Sequence, residues 1–431
     1  MEQLQEEKSE QLQGEALIKE DMKLRKKTFW MGFVSGLTML FAVLALAVVV
    51  GIGTGYIHIN GNTPTSSQNN SILTSDVIAK LDELTGQINL NYYEDVNTDD
   101  LVNGLYKGLL EGLNDPYSVY YTPSEYENMM ISTTANYYGI GAGLAQDSDT
   151  MAVTITHVYD NSPAQGAGLL EGDKIVKVDD VEAASMELSD LVTRIRGEEG
   201  TSVHLEIYRE GETDFLELDV ERAKVDIPTV EYKLLGDHIG YIQVTEFAEN
   251  TPTDFLNAIT DLESQGMTKM IIDLRDNGGG LLNSCQQMLD TILPEGTVVY
   301  TEDKYGNRQD YTSDAAHYMD IPIVVLVNGN SASASEIFAG AIRDFDYGTL
   351  IGTNTFGKGI VQNIKQLSDG SAFKLTVSKY YTPSGDYIHG KGIAPDVELE
   401  YSYTGDTTGA DYDEMQDNQV LKAIEELDGE E

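Results

Sequence analysis

A single cysteine, Cys285, in 431 residues leaves no disulfide framework and no thiolate zinc site. Basic residues are also scarce: 27 Lys and Arg stand against 72 Asp and Glu, a formal net charge of −45. Such a chain repels nucleic acid, and no basic stripe offsets the acidity, so nucleic acid is excluded as a partner. The one basic cluster is Lys23, Arg25, Lys26 and Lys27. The six histidines (His58, His157, His204, His238, His317 and His389) are scattered, with no pair at metal-ligand spacing, so no metal site is expected. The length suits two or three domains with ordinary cores.

Charge is missing altogether from Phe29 to Ile52, a run of 24 residues. A helix of that length spans a bilayer. With the basic cluster just before it, the positive-inside rule puts the N-terminus in the cytoplasm and the rest outside. The sequence thus predicts a cytoplasmic tail at 1–28, a transmembrane signal anchor at 29–53 and a linker at 54–75 rich in Asn, Thr, Ser and Gly. The expected location is the cell membrane, single-pass, with the bulk of the chain extracytoplasmic. The alternative is a cleaved signal peptide; Ala45-Leu46-Ala47 resembles a cleavage site, but Val48-Val49-Val50 carry the apolar run past it.

A helical region is expected over 76–130. Val77, Leu81, Leu84 and Ile88 share one helix face after a plausible Ser75-Asp76 cap, and Leu101, Leu105, Leu109 and Leu113 share another, ending at Asn114-Asp115-Pro116. From about Tyr137 the pattern turns to strands. The Gly-rich Tyr138-Gly139-Ile140-Gly141-Ala142-Gly143 precedes a strand-like run at 152–158 where a dinucleotide fold needs a helix, which rules out that reading. Such a loop offers successive N–H groups to a carboxylate, the way peptide C-termini are captured. With Ser162-Pro163-Ala164, Ala167-Gly168-Leu169 and Gly172-Asp173-Lys174-Ile175, it resembles a PDZ domain of the bacterial protease type, over roughly 138–221. Met186 to Ile195 would line its groove, and Val203–Tyr208 and Phe215–Val220 would be its later strands. The resemblance implies a domain, set at 131–222, that takes a polypeptide C-terminus as an added strand through Tyr138, Gly139, Ile140 and Gly141.

The next region reads αβ: strands at 240–244 and 270–274, a helix at 251–265, and Gly278-Gly279-Gly280 after the second strand. The apolar strand Ile323–Val327 then runs through Asn328-Gly329-Asn330 into Ser331-Ala332-Ser333-Ala334-Ser335-Glu336 and a helix. A hydroxyl at a strand-to-helix turn is how a fold presents a nucleophile beside N–H groups able to hold an oxyanion, although serines there also serve as caps. Gly352–Gly359 nearly matches a phosphate-cradling loop, but Gly359 stands where a Mg²⁺-holding hydroxyl is needed, which leaves the nucleotide reading weak. Serine hydrolysis needs a base instead. Lys358, between Gly357 and Gly359, can supply one if burial lowers its pKa, with the Gln362 amide to orient it.

These stretches together resemble the carboxyl-terminal processing peptidases: D-x-R-x-N-x-G-G at Asp273–Gly280, N-x-x-S-A-S-A-S-E at Asn328–Glu336 and G-K-G-x-V-Q at Gly357–Gln362, with Asp115-Pro116-Tyr117-Ser118, Gly392-Ile393-Ala394-Pro395-Asp396 and a terminal helix at 417–427. The resemblance covers about 76–427 and implies a serine endopeptidase core at 223–400, followed by an acidic segment with a terminal helix at 401–431. It places the nucleophile on Ser333, the base on Lys358, 25 residues on (358 − 333), and the orienting amide on Gln362. It places the oxyanion donors on Ala334 and on the Gly turn, with Gly279 the first choice, and a coupling residue between PDZ domain and active site on Arg196. No metal or organic cofactor is implied. Protein substrates would be bound by their C-terminal tails, and a homodimer through the 76–113 helices is possible. The fold class expected is therefore multidomain α/β: a transmembrane helix, a helical region, a β-rich PDZ domain with two helices, and an αβ protease core. The competing class is a non-catalytic PDZ scaffold on a protease-like fold. The role of Glu336 is left open.

Overall fold

The computed structural model describes residues 72–429, apart from 237, 315, 317 and 406–411. The expected membrane span at 29–53 lies outside the described residues; among those described, no helix is long and apolar enough to cross a membrane.

Two compact units divide at Val96/Asn97. In the first, the described part is the helix Ser75–Asn91, capped by Thr74 rather than Ser75, because Thr74 keeps an extended backbone and its hydroxyl accepts from Val77 N–H. None of its residues is buried within the unit.

The second unit begins with the helix Thr98–Glu111, whose Leu101, Leu105 and Leu109 also stay exposed. Asn114 then adopts a left-handed backbone (φ 55°) before Pro116. The helix Pro123–Thr134 follows, closed by a Thr122/Glu125 capping box, and it runs across the expected boundary at 130/131. A two-stranded ribbon, Asn136–Gly139 against Ala223–Asp226, carries the chain into and out of a β unit. That unit pairs its strands in the order 142–146, 153–158, 174–178, 202–208 and 216–221, with the helices Pro163–Ala167 and Leu188–Ile195. Its core includes Ile140, Ile155, Ile175, Leu191, Ile195, Leu205 and Ile207.

The larger core is built on a six-stranded sheet in the order 230–235, 239–244, 269–273, 323–327, 349–352 and 397–398. The first pair is antiparallel and the rest parallel. Ile323–Val327 is buried along its whole length, as a central strand covered on both faces must be. On one face lie the helices Thr251–Ser264, Leu282–Ile292 and Ala334–Asp344; on the other, Val420, Ala423 and Leu427 of the terminal helix Asn418–Gly429 pack on Ile271, Val324, Leu326 and Ile351. A second, five-stranded sheet contains Val119–Tyr121, Gly296–Asp303, Arg308–Ser313, Ile360–Gln366 and Ala372–Tyr381. Loops 274–280 and 328–333 leave the C-terminal ends of two neighbouring parallel strands, where open αβ sheets place their ligand crevices.

Candidate active site

Three serines stand in the turn before the helix Ala334–Asp344, and their hydroxyls have different fates. Ser331 is fully buried; its Oγ donates to the Leu274 carbonyl at 2.7 Å and accepts from Asn328 N–H at 2.9 Å. Ser335 is fully buried and donates to the Asn277 carbonyl at 2.8 Å. Ser333 faces a cavity of about 310 Å³, and its hydroxyl, unlike the other two, donates to no acceptor among the described residues. Its backbone is left-handed (φ 57°, ψ −111°), strain of the kind that collects at functional sites.

What holds that backbone is Glu336. Its carboxyl is wholly buried and accepts four hydrogen bonds: from Ser333 N–H (2.9 Å), Gly357 N–H (2.7 Å), Lys358 N–H (2.7 Å) and the Thr355 hydroxyl (2.6 Å). One side chain thus fixes the nucleophile turn against the lysine loop. It also occupies the amides a phosphate would need, and a strand, Ile360–Gln366, follows where a phosphate loop needs a helix.

Lys358 lines the same cavity as Ser333 without a hydrogen bond between them; its ammonium lies 5.0 Å from the centre of the Tyr117 ring. Burial holds its pKa below the ordinary lysine value, and the Lys374 ammonium, on Ala372–Tyr381, adds to the depression; Glu336 and Asp115 oppose it. The flanking glycines bring the loop close to its neighbours: a Cβ on Gly359 would sit 2.7 Å from His389 N, and one on Gly357 3.0 Å from Lys391 N. Gln362 lines the cavity too, where its Nε2 donates to Thr376 Oγ1 at 3.3 Å rather than meeting the lysine.

Ala334 lies at the cavity as the first helical residue, and its N–H has no acceptor among the described residues. Gly279 presses against the nucleophile; a Cβ there would meet Ser333 Cβ at 2.8 Å and Ala334 N at 2.9 Å. Its N–H, however, is taken by Asn277 Oδ1 at 2.8 Å. The N–H groups of Gly278 and Gly280 have no acceptor among the described residues, and of the two Gly280 lines the cavity. Sequence reasoning chose Gly279 because it could not see where the Asn277 side chain points.

At the β unit, Ile140, Ala142, Gly143, Leu144, Val192 and Ile195 line a groove between the strand Ala142–Gln146 and the helix Leu188–Ile195. Of the loop residues read as tail-binding, Gly139 lies in the two-stranded ribbon, while Ile140 and Gly141 shape the groove's end through Ala164 N–H to Ile140 O (2.7 Å) and Tyr159 N–H to Gly141 O (3.1 Å). Tyr138 is 46% exposed and faces away; the neighbouring Tyr137 turns its phenol oxygen to the amides of Gly141 and Ala142. Alternation along an extended strand puts only one of the two tyrosines on the groove side. Arg196 packs over the Tyr137 ring at 5.2 Å and donates to Asn128 Oδ1 at 2.9 Å. Asn128 belongs to the helix Pro123–Thr134, which puts Ile131 into this groove and Met129, Ser132 and Thr133 into the cavity with Ser333.

Residues that sequence reasoning passed over also converge here. Tyr117 belongs to the Asp115-Pro116-Tyr117-Ser118 stretch, which does not show that its ring meets Lys358, and Tyr380, whose hydroxyl donates to the Ser333 carbonyl at 3.1 Å, has no sequence signal at all. Lys374 and Glu246 enter the cavity from strands and loops with no local pattern to mark them.

The chain is similar to known proteins over most of its length. Residues 238–399 match Peptidase family S41, 154–209 match the PDZ domain, and 50–124 match the Activating protease CtpB N-terminal domain. The chain is 35% identical over 365 residues to the Carboxy-terminal processing protease CtpA of Bacillus subtilis, covering 84% of this chain and 77% of that one. It is 35% identical over 329 residues to CtpB of the same organism (75% and 68%), and 33% identical over 367 residues to a Probable CtpA-like serine protease of Staphylococcus aureus (84% and 71%). The chain belongs to the carboxyl-terminal processing peptidases, serine-type proteases of family S41 with a PDZ domain.

Proposed function

We propose that this protease works with a Ser333/Lys358 dyad on extracytoplasmic proteins, cutting near their C-termini, and that it is held to the cell membrane by the 29–53 segment with its N-terminus in the cytoplasm. The observation that carries the dyad is the sorting of the three serines: Ser331 and Ser335 donate their hydroxyl protons to carbonyls, whereas Ser333 donates to no described acceptor and faces the cavity of the lysine whose charged form burial disfavours. In the reaction, the neutral Lys358 amine takes the Ser333 proton as Oγ attacks the scissile carbonyl. The oxyanion is met by the N–H of Ala334 and that of Gly280, and the protonated lysine then delivers its proton to the leaving amine. Water hydrolyses the acyl-enzyme by the same route in reverse. Since Lys358 rests over Tyr117, its side chain must swing to Ser333, and Gln362 is the amide positioned to receive it there.

The tail of the substrate would add as a strand in the 140–144 groove, its carboxylate taking the Gly141 and Ala142 amides that now face the Tyr137 hydroxyl. Gating would pass through Arg196 and Asn128 to the helix Pro123–Thr134, which reaches both grooves. The exposed leucines at 101, 105 and 109 suit pairing of two copies.

The test is cleavage of an unfolded reporter with an apolar C-terminal tail by the full chain in detergent, beside Ser333→Ala and Lys358→Ala. Cleavage by the parent and by neither variant supports the dyad; equal cleavage by all three removes it. Binding of the tail with no cleavage by any form favours the scaffold reading.

A further inference from the structure

Glu246 stands beside the catalytic cavity on backbone that is itself fixed to the nucleophile region. The next residue, Phe247, donates its N–H to the Gly279 carbonyl at 2.9 Å and accepts from Leu281 N–H at 2.7 Å, so this stretch runs parallel to the Gly turn that presses on Ser333. The Glu246 carboxyl enters the cavity shared by Ser333 and Lys358. Its partner among the described residues is one neutral donor, the Ser132 hydroxyl, at 3.2 Å and 3.5 Å from its two oxygens.

Two oxygens can accept about four hydrogen bonds, so the described residues leave most of this group's capacity to solvent or to a substrate. Burial works against its charge and raises its pKa, with the Ser132 bond only partly offsetting that. The two lysines that also line the cavity, Lys358 and Lys374, make no ion pair with it. Much of the remaining wall is apolar, including Met129, Leu281, Leu282 and Ile337, which strengthens any charge interaction formed against it. A cationic side chain that enters with a substrate supplies what the cavity lacks: a donor for the carboxyl and a charge that favours its ionised form. The whole chain, at −45, also draws cationic polypeptides toward it.

We infer that Glu246 is a specificity-determining residue that accepts a lysine or arginine side chain of the substrate close to the bond Ser333 attacks. This rests on the peptidase reading above. A purely structural role, with Glu246 only tying the helix Pro123–Thr134 to the core through Ser132, would give no dependence on the charge of the substrate.

The experiment uses the full chain and a set of peptides with an apolar C-terminal tail. In the set, each residue within four of the cut is replaced in turn by Lys, Ala or Glu. At one position, kcat/KM for Lys is expected to exceed that for Glu by about tenfold or more. Glu246→Gln collapses that ratio, Glu246→Lys inverts it, and Ser132→Ala, which removes the tie and leaves the carboxyl, keeps it. The same ratios are read as Kd on the Ser333→Ala form, so selection is measured even without turnover. Cleavage with a Lys-to-Glu ratio that Glu246→Gln leaves unchanged at every position overturns the inference and leaves the peptidase reading standing. A Lys preference in binding that Glu246→Gln abolishes, with no cleavage by any form, upholds the inference and sinks the dyad.

Discussion

The catalytic turn and the groove of the PDZ domain both present backbone amides at the end of a Gly-rich stretch, yet they are built in opposite ways. Around Ser333 nearly every polar group is locked: Glu336 grips three amides and a hydroxyl, and Asn277 binds Gly279 N–H and the Val244 carbonyl while its own carbonyl takes Ser335 Oγ and Ala332 N–H. In the groove, the amides of Gly141 and Ala142 lie near the Tyr137 hydroxyl without a hydrogen bond to it among the described residues, at the end of an open edge. Chemistry needs donors fixed before the charge develops, whereas recognition of varied tails needs donors that can be released to a newcomer. The movable part of the catalytic centre is then the long Lys358 side chain, whose ammonium makes no hydrogen bond among the described residues.

The largest effect that tests this contrast is at the nucleophile: Ser333→Ala should lower kcat by at least about 10³-fold with tail binding intact, read by cleavage and by anisotropy of a labelled tail. Next comes the lock itself. Glu336→Ala strands buried N–H groups of Ser333, Gly357 and Lys358, at about 1–3 kcal/mol for each one left unpaired, so thermal unfolding should fall by several degrees and activity with it. A variant as stable as the parent would show the turn to be held by something else.

A smaller effect is expected at Lys374. The working form of Lys358 is the free amine, so kcat/KM rises with pH through the lysine's pKa. Lys374→Met removes a repelling ammonium, Lys358 holds its proton more tightly, and the rising limb moves to higher pH. Roughly 3- to 10-fold is lost on the acidic side and little above the limb, while Lys374→Arg keeps the parent profile. An unshifted limb in Lys374→Met would refute the tuning. The smallest effect is on the open side: Tyr137→Phe removes the hydroxyl that competes for the Gly141 and Ala142 amides and should tighten tail binding by about 2- to 5-fold, seen by titration. Looser binding instead would mean that the phenol helps hold the tail.

Much of this protein is legible in its sequence because the relevant signals are local. Strand and helix periods survive in place: the groove helix expected at 186–195 forms at 188–195, and the strand expected at 203–208 forms at 202–208. The Gly-Lys-Gly loop and the Gly triplet each announce tight backbone within a few residues, since glycine tolerates close approach and φ values that other residues rarely adopt, and the three-serine turn announces itself by its place between strand and helix. What the sequence could not decide is which of these groups meet. Ser333 is left free because Leu274 and Asn277, about 57 residues upstream, occupy its two neighbours. Glu336 matters because segments at 333, 355 and 357–358 converge on one carboxyl, and Gly280 rather than Gly279 keeps a free N–H because of one side-chain direction. Local propensity fixes which backbone shapes a stretch can take; the competition of buried donors for a few acceptors, settled only when distant segments pack together, decides which groups remain free to react.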